Sequence, residues 1–77
     1  MAERLKYRRN QDAINTLARN VRKYRTDRQL TIEELANISN LDYSQVGRIE
    51  RGLSNATIST IFEIATALGV KPEQLLE

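Results

Sequence analysis

The side chains best suited to specific chemical contacts are concentrated in one short segment, residues 42–52, with the sequence DYSQVGRIERG. The segment supplies two hydroxyls, an amide and two guanidinium groups, carried by Tyr43, Ser44, Gln45, Arg48 and Arg51. These groups donate or accept hydrogen bonds. They offer no acid–base pair of the kind that a catalytic pocket needs. The chemistry that they predict is recognition of a polar partner.

The chain contains neither cysteine nor histidine. Disulfides, a zinc site with the usual ligands, a thiol nucleophile and an imidazole base are therefore excluded. We expect no enzyme activity, no metal and no cofactor. The apolar runs are too short for a membrane span, and the charged N-terminus lacks the apolar region of a signal peptide. A soluble cytoplasmic protein without membrane contact is expected.

Charge is unevenly distributed along the chain, although the net charge is only +2. Residues 1–28 contain nine Lys/Arg and three Asp/Glu, a net charge of +6, whereas residues 29–77 contain three and seven, a net charge of −4. A protein with one basic side suits a polyanion such as nucleic acid, although a run of charges is more often a solvated face.

The length of 77 residues and the hydrophobic content of 40% allow one compact domain. Residues 1–10 are predicted to form a basic N-terminal arm or helix extension, and residues 11–77 form the domain. Apolar residues at helical spacing predict a first helix over residues 11–26. Its buried side is expected to carry Ile14, Leu17, Ala18, Val21 and Tyr24.

The starts of the later helices are marked by capping residues. Thr31 with Glu34, and Asp42 with Gln45, have the spacing of capping boxes. The Thr57 hydroxyl can also cap a helix, and Pro72 is of a type favoured in a first helical turn. Four further helices are predicted: residues 32–38 after Thr31, a third that follows Asp42 and ends at Gly52, residues 58–68 after Thr57, and a last one from Pro72 through Leu76. The fourth should bury Ile58, Ile61, Ile64, Ala65 and Leu68. The predicted fold is an all-α, compact five-helix bundle.

The second and third helices are separated by a tight turn, Ser39-Asn40-Leu41. Asn40 is among the few residues other than glycine that tolerate the left-handed conformation found at helix ends. Because the turn is too short for the helices to lie antiparallel, the pair predicts a helix-turn-helix.

The stretches LTIEELANISNLDYSQVGRIERG, EIATALGV and KPEQLL resemble the XRE family, the Cro and phage-repressor type of helix-turn-helix. The resemblance covers about residues 14–76. Three positions differ from the family pattern. Asn40 replaces a turn glycine, Ala56 replaces a loop proline, and the order of Ile38 and Ser39 is exchanged, which predicts that Ile38 is exposed.

The resemblance implies a sequence-specific DNA-binding transcription regulator with the phage-repressor fold. On a helical wheel, the polar side of the third helix faces away from Val46 and Ile49. The expected base-contacting residues are Tyr43, Ser44, Gln45, Gly47 and Arg48. Arg48 can donate to O6 and N7 of guanine. Gly47 costs about 1 kcal/mol relative to alanine inside a helix, so it either permits close approach to DNA or is a tolerated small residue.

Further contacts are implied around the third helix. Phosphate contacts are expected from Thr31, Ile32, Arg51, Ser54 and Asn55, although Thr31 is equally compatible with a purely capping role. Relatives of this type pair an arginine near the end of the first helix with the glutamate of the I-E-R-G motif. This implies a structural ion pair between Arg25 and Glu50.

A single helix-turn-helix reads only a few base pairs, so a homodimer on a palindromic operator in double-stranded DNA is expected. The predicted dimer interface comprises Phe62, Val70, Leu75 and Leu76, with a core position as the alternative for Phe62. RNA polymerase is a further candidate partner through Glu33 and Glu34, for which capping and solvation are the simpler roles.

The size of the chain and the resemblance together favour a controller protein of a restriction-modification system. A phage Cro-like repressor or an antitoxin has the same architecture. The competing class is a protein-interaction module of this fold that does not bind DNA. The polar and basic side of the third helix, with Arg48 and Arg51, argues against that class.

Overall fold

The structure, a computed structural model, describes residues 9–77. Over these residues, four α-helices and a 3₁₀ helix follow one another: α1 (Gln11–Asp27), α2 (Ile32–Ser39), α3 (Tyr43–Glu50), α4 (Ile58–Leu68) and η1 (Pro72–Leu75). The all-α prediction is confirmed, with the last helix of the 3₁₀ type and one residue shorter than expected. Within residues 9–77, none of the helices is long and apolar enough to cross a membrane.

Side-chain caps fix where the helices begin. Thr31 Oγ1 accepts from the Glu34 N–H at 3.0 Å, and the Thr31 N–H donates to Glu34 Oε1 at 2.8 Å. Thr57 Oγ1 accepts from the Thr60 N–H at 3.2 Å at the start of α4. Each bond satisfies a backbone donor that has no partner inside its helix. These local bonds explain why both helices start where the sequence predicts.

Helix α1 begins at Gln11, as the sequence predicts, and its N-cap is the last residue of the predicted arm. Asn10 is the N-cap of α1, and its Oδ1 accepts from the Ala13 N–H at 2.9 Å. Asn10 therefore belongs structurally to the helical domain. The rest of the predicted arm, apart from Arg9, lies outside the described residues.

One apolar core joins all five helices. The core contains residues of α2 and α3, which flank the turn, and of the C-terminal helices α4 and η1. Both helices of the turn therefore pack on the same core. The largest fully buried side chains among the described residues are Val21, Leu35, Val46, Ile49, Ile64 and Leu75. Helix α1 contacts α3, α4 and η1 and so supports these three helices, whereas α2 packs against α3 and α4.

Two apolar residues occupy positions that differ from the sequence prediction. Leu75, expected at a dimer surface, has no exposed area because η1 packs against α1 and α4. Its assignment to the interface is therefore wrong. Ile58 matches the apolar spacing of α4 but is 72% exposed. Ile58 is the first residue of α4, and no other helix of the described residues covers its side chain.

Asn20 is a buried polar residue on the inner side of α1. Its Nδ2 donates to the backbone carbonyls of Leu75 at 2.9 Å and Glu77 at 3.1 Å. These bonds attach the C-terminal segment to α1, and the bond to Leu75 satisfies a carbonyl in a buried position.

Replacing Asn20 with alanine should lower the free energy of unfolding by about 1–3 kcal/mol, because a buried acceptor loses its donor. For a domain of this size, the lower bound corresponds to a melting temperature reduced by about 4–8 °C, measurable by circular dichroism. Thr16→Ala is the matched control, since the Thr16 hydroxyl donates to the Asp12 carbonyl of the same helix. Equal losses for both variants would contradict the tethering role of Asn20.

Candidate nucleic-acid interface

The turn between α2 and α3 sets the angle at which α3 leaves the domain core. Asn40 ends α2 in the left-handed conformation, with φ 60° and ψ 40°. The Leu41 N–H then donates to the Ala36 carbonyl at 2.9 Å, which closes the turn. Ser39 is buried and its Oγ donates to the Leu35 carbonyl at 2.6 Å, while Ile38 is 56% exposed. Both replacements within the turn are thus accommodated by local bonds.

Helix α3 has one buried side and one exposed side. Val46 and Ile49 are buried in the core, whereas Tyr43, Ser44 and Arg48 are exposed. Tyr43 retains 61% of its accessible area despite its aromatic ring. The structure therefore brings a phenol, a hydroxyl and a guanidinium to one outward surface, as the helical wheel predicts.

Gly47, one of the expected base-contacting residues, is buried. A Cβ atom added to Gly47 would lie 3.2 Å from Nη1 and 4.0 Å from Cζ of Arg51. The Arg51 side chain therefore folds back along α3 and covers the glycine. Gly47 still belongs to the outward side of α3, but its surface is covered by Arg51, the residue that caps the C-terminal end of the helix.

The side chain of Gln45 has a structural role at the start of α3. Its Oε1 accepts from the Asp42 N–H at 3.0 Å, one half of the predicted capping box. The Gln45 amide oxygen is therefore engaged in the protein. Its NH₂ group is the part that remains suited to contact with a ligand.

An ion pair attaches the end of α3 to α1. Arg25 donates from Nε to Glu50 Oε2 at 2.6 Å and from Nη2 to Glu50 Oε1 at 2.9 Å. The exposed fractions of the two side chains are 14% and 3%. Hydrogen bonding to Glu50 raises the pKa of Arg25 and outweighs the lowering by burial. The arrangement is a bidentate pair, the geometry in which arginine and carboxylate interact most strongly.

Two contacts of this junction could not be read from the sequence. Arg25 Nη1 donates to the Leu30 carbonyl at 2.6 Å, which links the loop before α2 to the same guanidinium. Arg22 Nη2 donates to the Glu50 backbone carbonyl at 2.6 Å, at the C-terminal end of α3. The sequence offered one indication of the Arg22 contact: Arg22 is a basic residue about one helical turn before Arg25. Together these bonds hold α1, α2 and α3 in one orientation.

The predicted phosphate-contacting residues flank α3. Thr31 and the half-buried Ile32 lie at the start of α2. Ser54 is half-buried and Asn55 exposed in the loop after α3. This loop is fixed from the N-terminal side, since Gln11 Nε2 donates to the Gly52 carbonyl at 3.0 Å and Arg9 Nη2 to the Leu53 carbonyl at 3.3 Å.

The remaining predicted dimer residues lie beside two separate grooves. Phe62 is 54% exposed and lines a groove of about 550 Å³ with Ile38. Leu76 is 51% exposed and lines a smaller groove with Ile61. Val70 is half-buried and packs against the core. The structure thus separates Phe62 from Leu76 instead of joining them in one cavity.

Residues 9–77 contain no group of side chains that could hold a metal ion. An exposed helix rich in hydrogen-bonding groups, buried on its other side and fixed behind a short turn, defines a DNA-binding helix-turn-helix protein. The chain belongs to the helix-turn-helix family HTH_3, which matches residues 21–75. The predicted membership of this XRE-type family is confirmed.

Restriction-modification controllers are among its relatives. Control protein C.SmaI from Serratia marcescens is 42% identical over 65 residues, which cover 84% of this chain and 77% of the relative. The crystal structure of the restriction-modification controller protein C.AhdI from Aeromonas hydrophila superposes with a TM-score of 0.78 at 39% identity, covering 80% of this chain and 94% of that one.

A second relative is a hypothetical transcription factor from Neisseria meningitidis, 41% identical over 66 residues, which cover 86% of this chain and 62% of the relative. The crystal structure of a hypothetical transcription factor from Neisseria has a TM-score of 0.83 at 36% identity, covering 90% of this chain and 80% of that one. Two of these relatives are thus named as control or controller proteins and two as hypothetical transcription factors.

Proposed function

We propose that the protein binds a palindromic operator in double-stranded DNA as a homodimer and controls transcription of restriction-modification genes. The observation that carries the proposal is the outward surface of α3, fixed to α1 through the Arg25–Glu50 pair. The similarity to two controller proteins supports the choice of regulated genes. Such a regulator acts in the cytoplasm, where its operator is found.

Base contacts are assigned to Tyr43, Ser44 and Arg48, with the NH₂ group of Gln45 as a fourth donor. All four side chains are exposed. The first turn of a recognition helix is the part that reaches base edges in the major groove, which suits Tyr43 and Ser44. Arg48 lies one turn later and can pair with guanine.

Phosphate contacts are assigned to the ends of the surface. The start of α2 offers backbone N–H groups and the positive end of its dipole near Thr31 and Ile32. In the loop after α3, Ser54 and Asn55 carry hydrogen-bonding side chains, and bonds from Arg9 and Gln11 hold that loop. These contacts would orient α3 without reading sequence.

The test of this function is selection of binding sites from random double-stranded DNA with the purified protein. A palindrome is expected, with half-site centres about 34 Å apart, one turn of DNA. Recovery of the same sequence upstream of restriction-modification genes would support the controller assignment. A pool without enrichment would contradict sequence-specific binding and favour a protein-interaction module.

The homodimer is assigned to the outer side of α4. Ile58 and Phe62 are four residues apart, both are exposed, and Phe62 shares its groove with the exposed Ile38. Apolar residues at this spacing form one continuous strip along a helix. A copy related by a two-fold axis would cover the same strip on both subunits.

Replacing Phe62 with glutamate should convert the dimer to monomers, because a charge would be buried in an apolar contact. A loss typical of a central interface residue, about 2 kcal/mol or more, raises the dimer dissociation constant about 30-fold. Sedimentation equilibrium measures it. Leu76→Glu is the matched control, since Leu76 has a similar exposed fraction beside the other groove. Monomers from Leu76→Glu alone would move the interface to that groove.

RNA polymerase is retained as a proposed partner only through Glu33. Glu33 is exposed in the first turn of α2, whereas the carboxylate of Glu34 accepts from the Thr31 N–H at 2.8 Å. The two acidic residues therefore have different roles in this proposal. Glu34 caps the helix, and Glu33 is the residue that a neighbouring protein on the same DNA could contact.

A further inference from the structure

Arg51 lies at the C-terminal end of α3, yet its side chain is directed back along the helix. Its guanidinium approaches the surface of Gly47, which is buried as a result. Residues four apart are neighbours on a helix surface, and helical side chains lean toward the N-terminus. The charged group of Arg51 is therefore displaced toward the middle of α3, by as much as one helical turn of about 5.4 Å.

This displacement changes which part of DNA the guanidinium would meet. Residues in the N-terminal part of a recognition helix contact base edges, whereas side chains at its C-terminal end are closer to the phosphates. Folded over Gly47, the guanidinium of Arg51 lies on the same outward side as Tyr43 and Arg48. Its position thus fits the base-reading surface better than the phosphate role that the sequence predicts.

We propose that Gly47 and Arg51 act as one unit that reads a base pair. Gly47 leaves a slot on α3, the Arg51 guanidinium lies in it, and its two parallel N–H donors address O6 and N7 of a guanine in the major groove. The proposal rests on DNA binding by α3 and deepens it, because it adds a second base-reading arginine beside Arg48. Gly47 is a positioning residue in this unit.

Alanine at position 47 would disturb the slot with little effect on the fold. The added methyl would come within 3.2 Å of the end of a flexible side chain, so the guanidinium has to move while the backbone does not. Alanine also favours the helical conformation over glycine. Gly47→Ala should therefore have an unchanged or raised melting temperature and an impaired reading of DNA.

The experiment is a double-mutant cycle on DNA affinity with the full chain. The wild type, Gly47→Ala, Arg51→Ala and the double variant are titrated against the selected operator and against operators changed at each base pair. Arg51→Ala should lose on the order of 10- to 100-fold discrimination at one base pair of each half-site. Gly47→Ala should reduce discrimination at that same base pair, and it should add less than about 2-fold in the Arg51→Ala background, the non-additivity expected of coupled residues.

Arg51→Lys separates base reading from charge. Lysine keeps the charge but lacks the planar fork, so affinity for random DNA should persist while the discrimination is lost. Uniform weakening of all sequences by Arg51→Ala would overturn the proposal in favour of a phosphate contact. A Gly47→Ala effect that is unchanged without Arg51 would also overturn it, since the methyl would then collide with DNA directly.

The outcomes also separate this proposal from the function on which it rests. A wild-type protein that enriches no sequence would reject both. A wild-type protein with a defined operator, on which Gly47→Ala binds and discriminates like the wild type, would reject only the Gly47–Arg51 unit. Melting curves of all variants show that any lost discrimination comes from a folded protein.

Discussion

Replacing Glu50 with alanine is expected to lower the free energy of unfolding by about 3 kcal/mol, the lower end of the cost of breaking a buried ion pair. Arg25 would lose both carboxylate bonds while its side chain stays largely covered, at 14% exposure. Small domains have about 5–15 kcal/mol of stability in total. Urea unfolding of the variant should therefore show a midpoint far below that of the wild type.

Arg22→Gln is the matched control for Glu50→Ala. The Arg22–Glu50 side-chain separation is 3.8 Å and Arg22 is 58% exposed, so solvent screens this pair. Its bond to the Glu50 carbonyl can be replaced by water. We expect a loss of roughly 1 kcal/mol or less. A loss as large as that of Glu50→Ala would show that α3 is held to α1 mainly through the Glu50 backbone carbonyl and not through the Glu50 carboxylate.

The contribution of Arg25 to the free energy of unfolding should not vary across neutral pH. Glu50 raises the pKa of Arg25, so the charged form is favoured in the folded state more than in the unfolded one. Stability from such a group is complete below its unfolded pKa and is lost only as pH rises through the folded value. Both lie far above the physiological range for arginine. The titration of Arg25 should therefore leave the difference in free energy of unfolding between wild type and Glu50→Ala constant from about pH 6 to pH 9.

The parts of the fold that could be predicted from the sequence depend on local interactions. Thr31 and Thr57 bond to backbone N–H groups three residues later, so helix starts are encoded within one turn. The left-handed turn at Asn40 is local in the same sense. The pairing of Arg25 with Glu50, 25 residues apart, was inferable only from family resemblance.

The parts that could not be predicted depend on which elements meet in space. Leu75 and Leu76 are adjacent and identical in type, yet one is fully buried and the other is 51% exposed. Ile58 fits the apolar period of α4 but no other element covers it. Asn20 lies among apolar positions of α1, and its partners are 55 and 57 residues away. Helical periodicity alone carries no information about such long-range contacts.

Replacing Arg48 with alanine is expected to reduce discrimination between the operator and unrelated DNA by about 10- to 100-fold. Arg48 is exposed on α3, and a guanidinium that pairs with O6 and N7 of guanine loses both bonds on truncation. Affinity for random DNA should fall much less. Fluorescence anisotropy with both DNAs, at several salt concentrations, measures the two losses separately.

Arg19→Ala is the control for charge, because Arg19 is an exposed arginine on α1. If Arg19 contacts a phosphate, its loss weakens all sequences alike and lowers the salt slope by about one. Arg48→Ala should instead relax the preference at a defined base pair. Equal losses on operator and random DNA for Arg48→Ala would contradict base reading.

The Arg48 and Glu50 variants should differ both in stability and in the pattern of lost recognition. Arg48→Ala removes an exposed side chain, so its free energy of unfolding should stay within about 0.5 kcal/mol of the wild type. Glu50→Gln keeps the shape of the side chain but weakens the bond that fixes α3 to α1. We expect it to reduce discrimination at every base pair that α3 reads, since the whole helix loses its fixed orientation. Loss at a single base pair for Glu50→Gln would show that the anchor acts on one side chain and not on the helix.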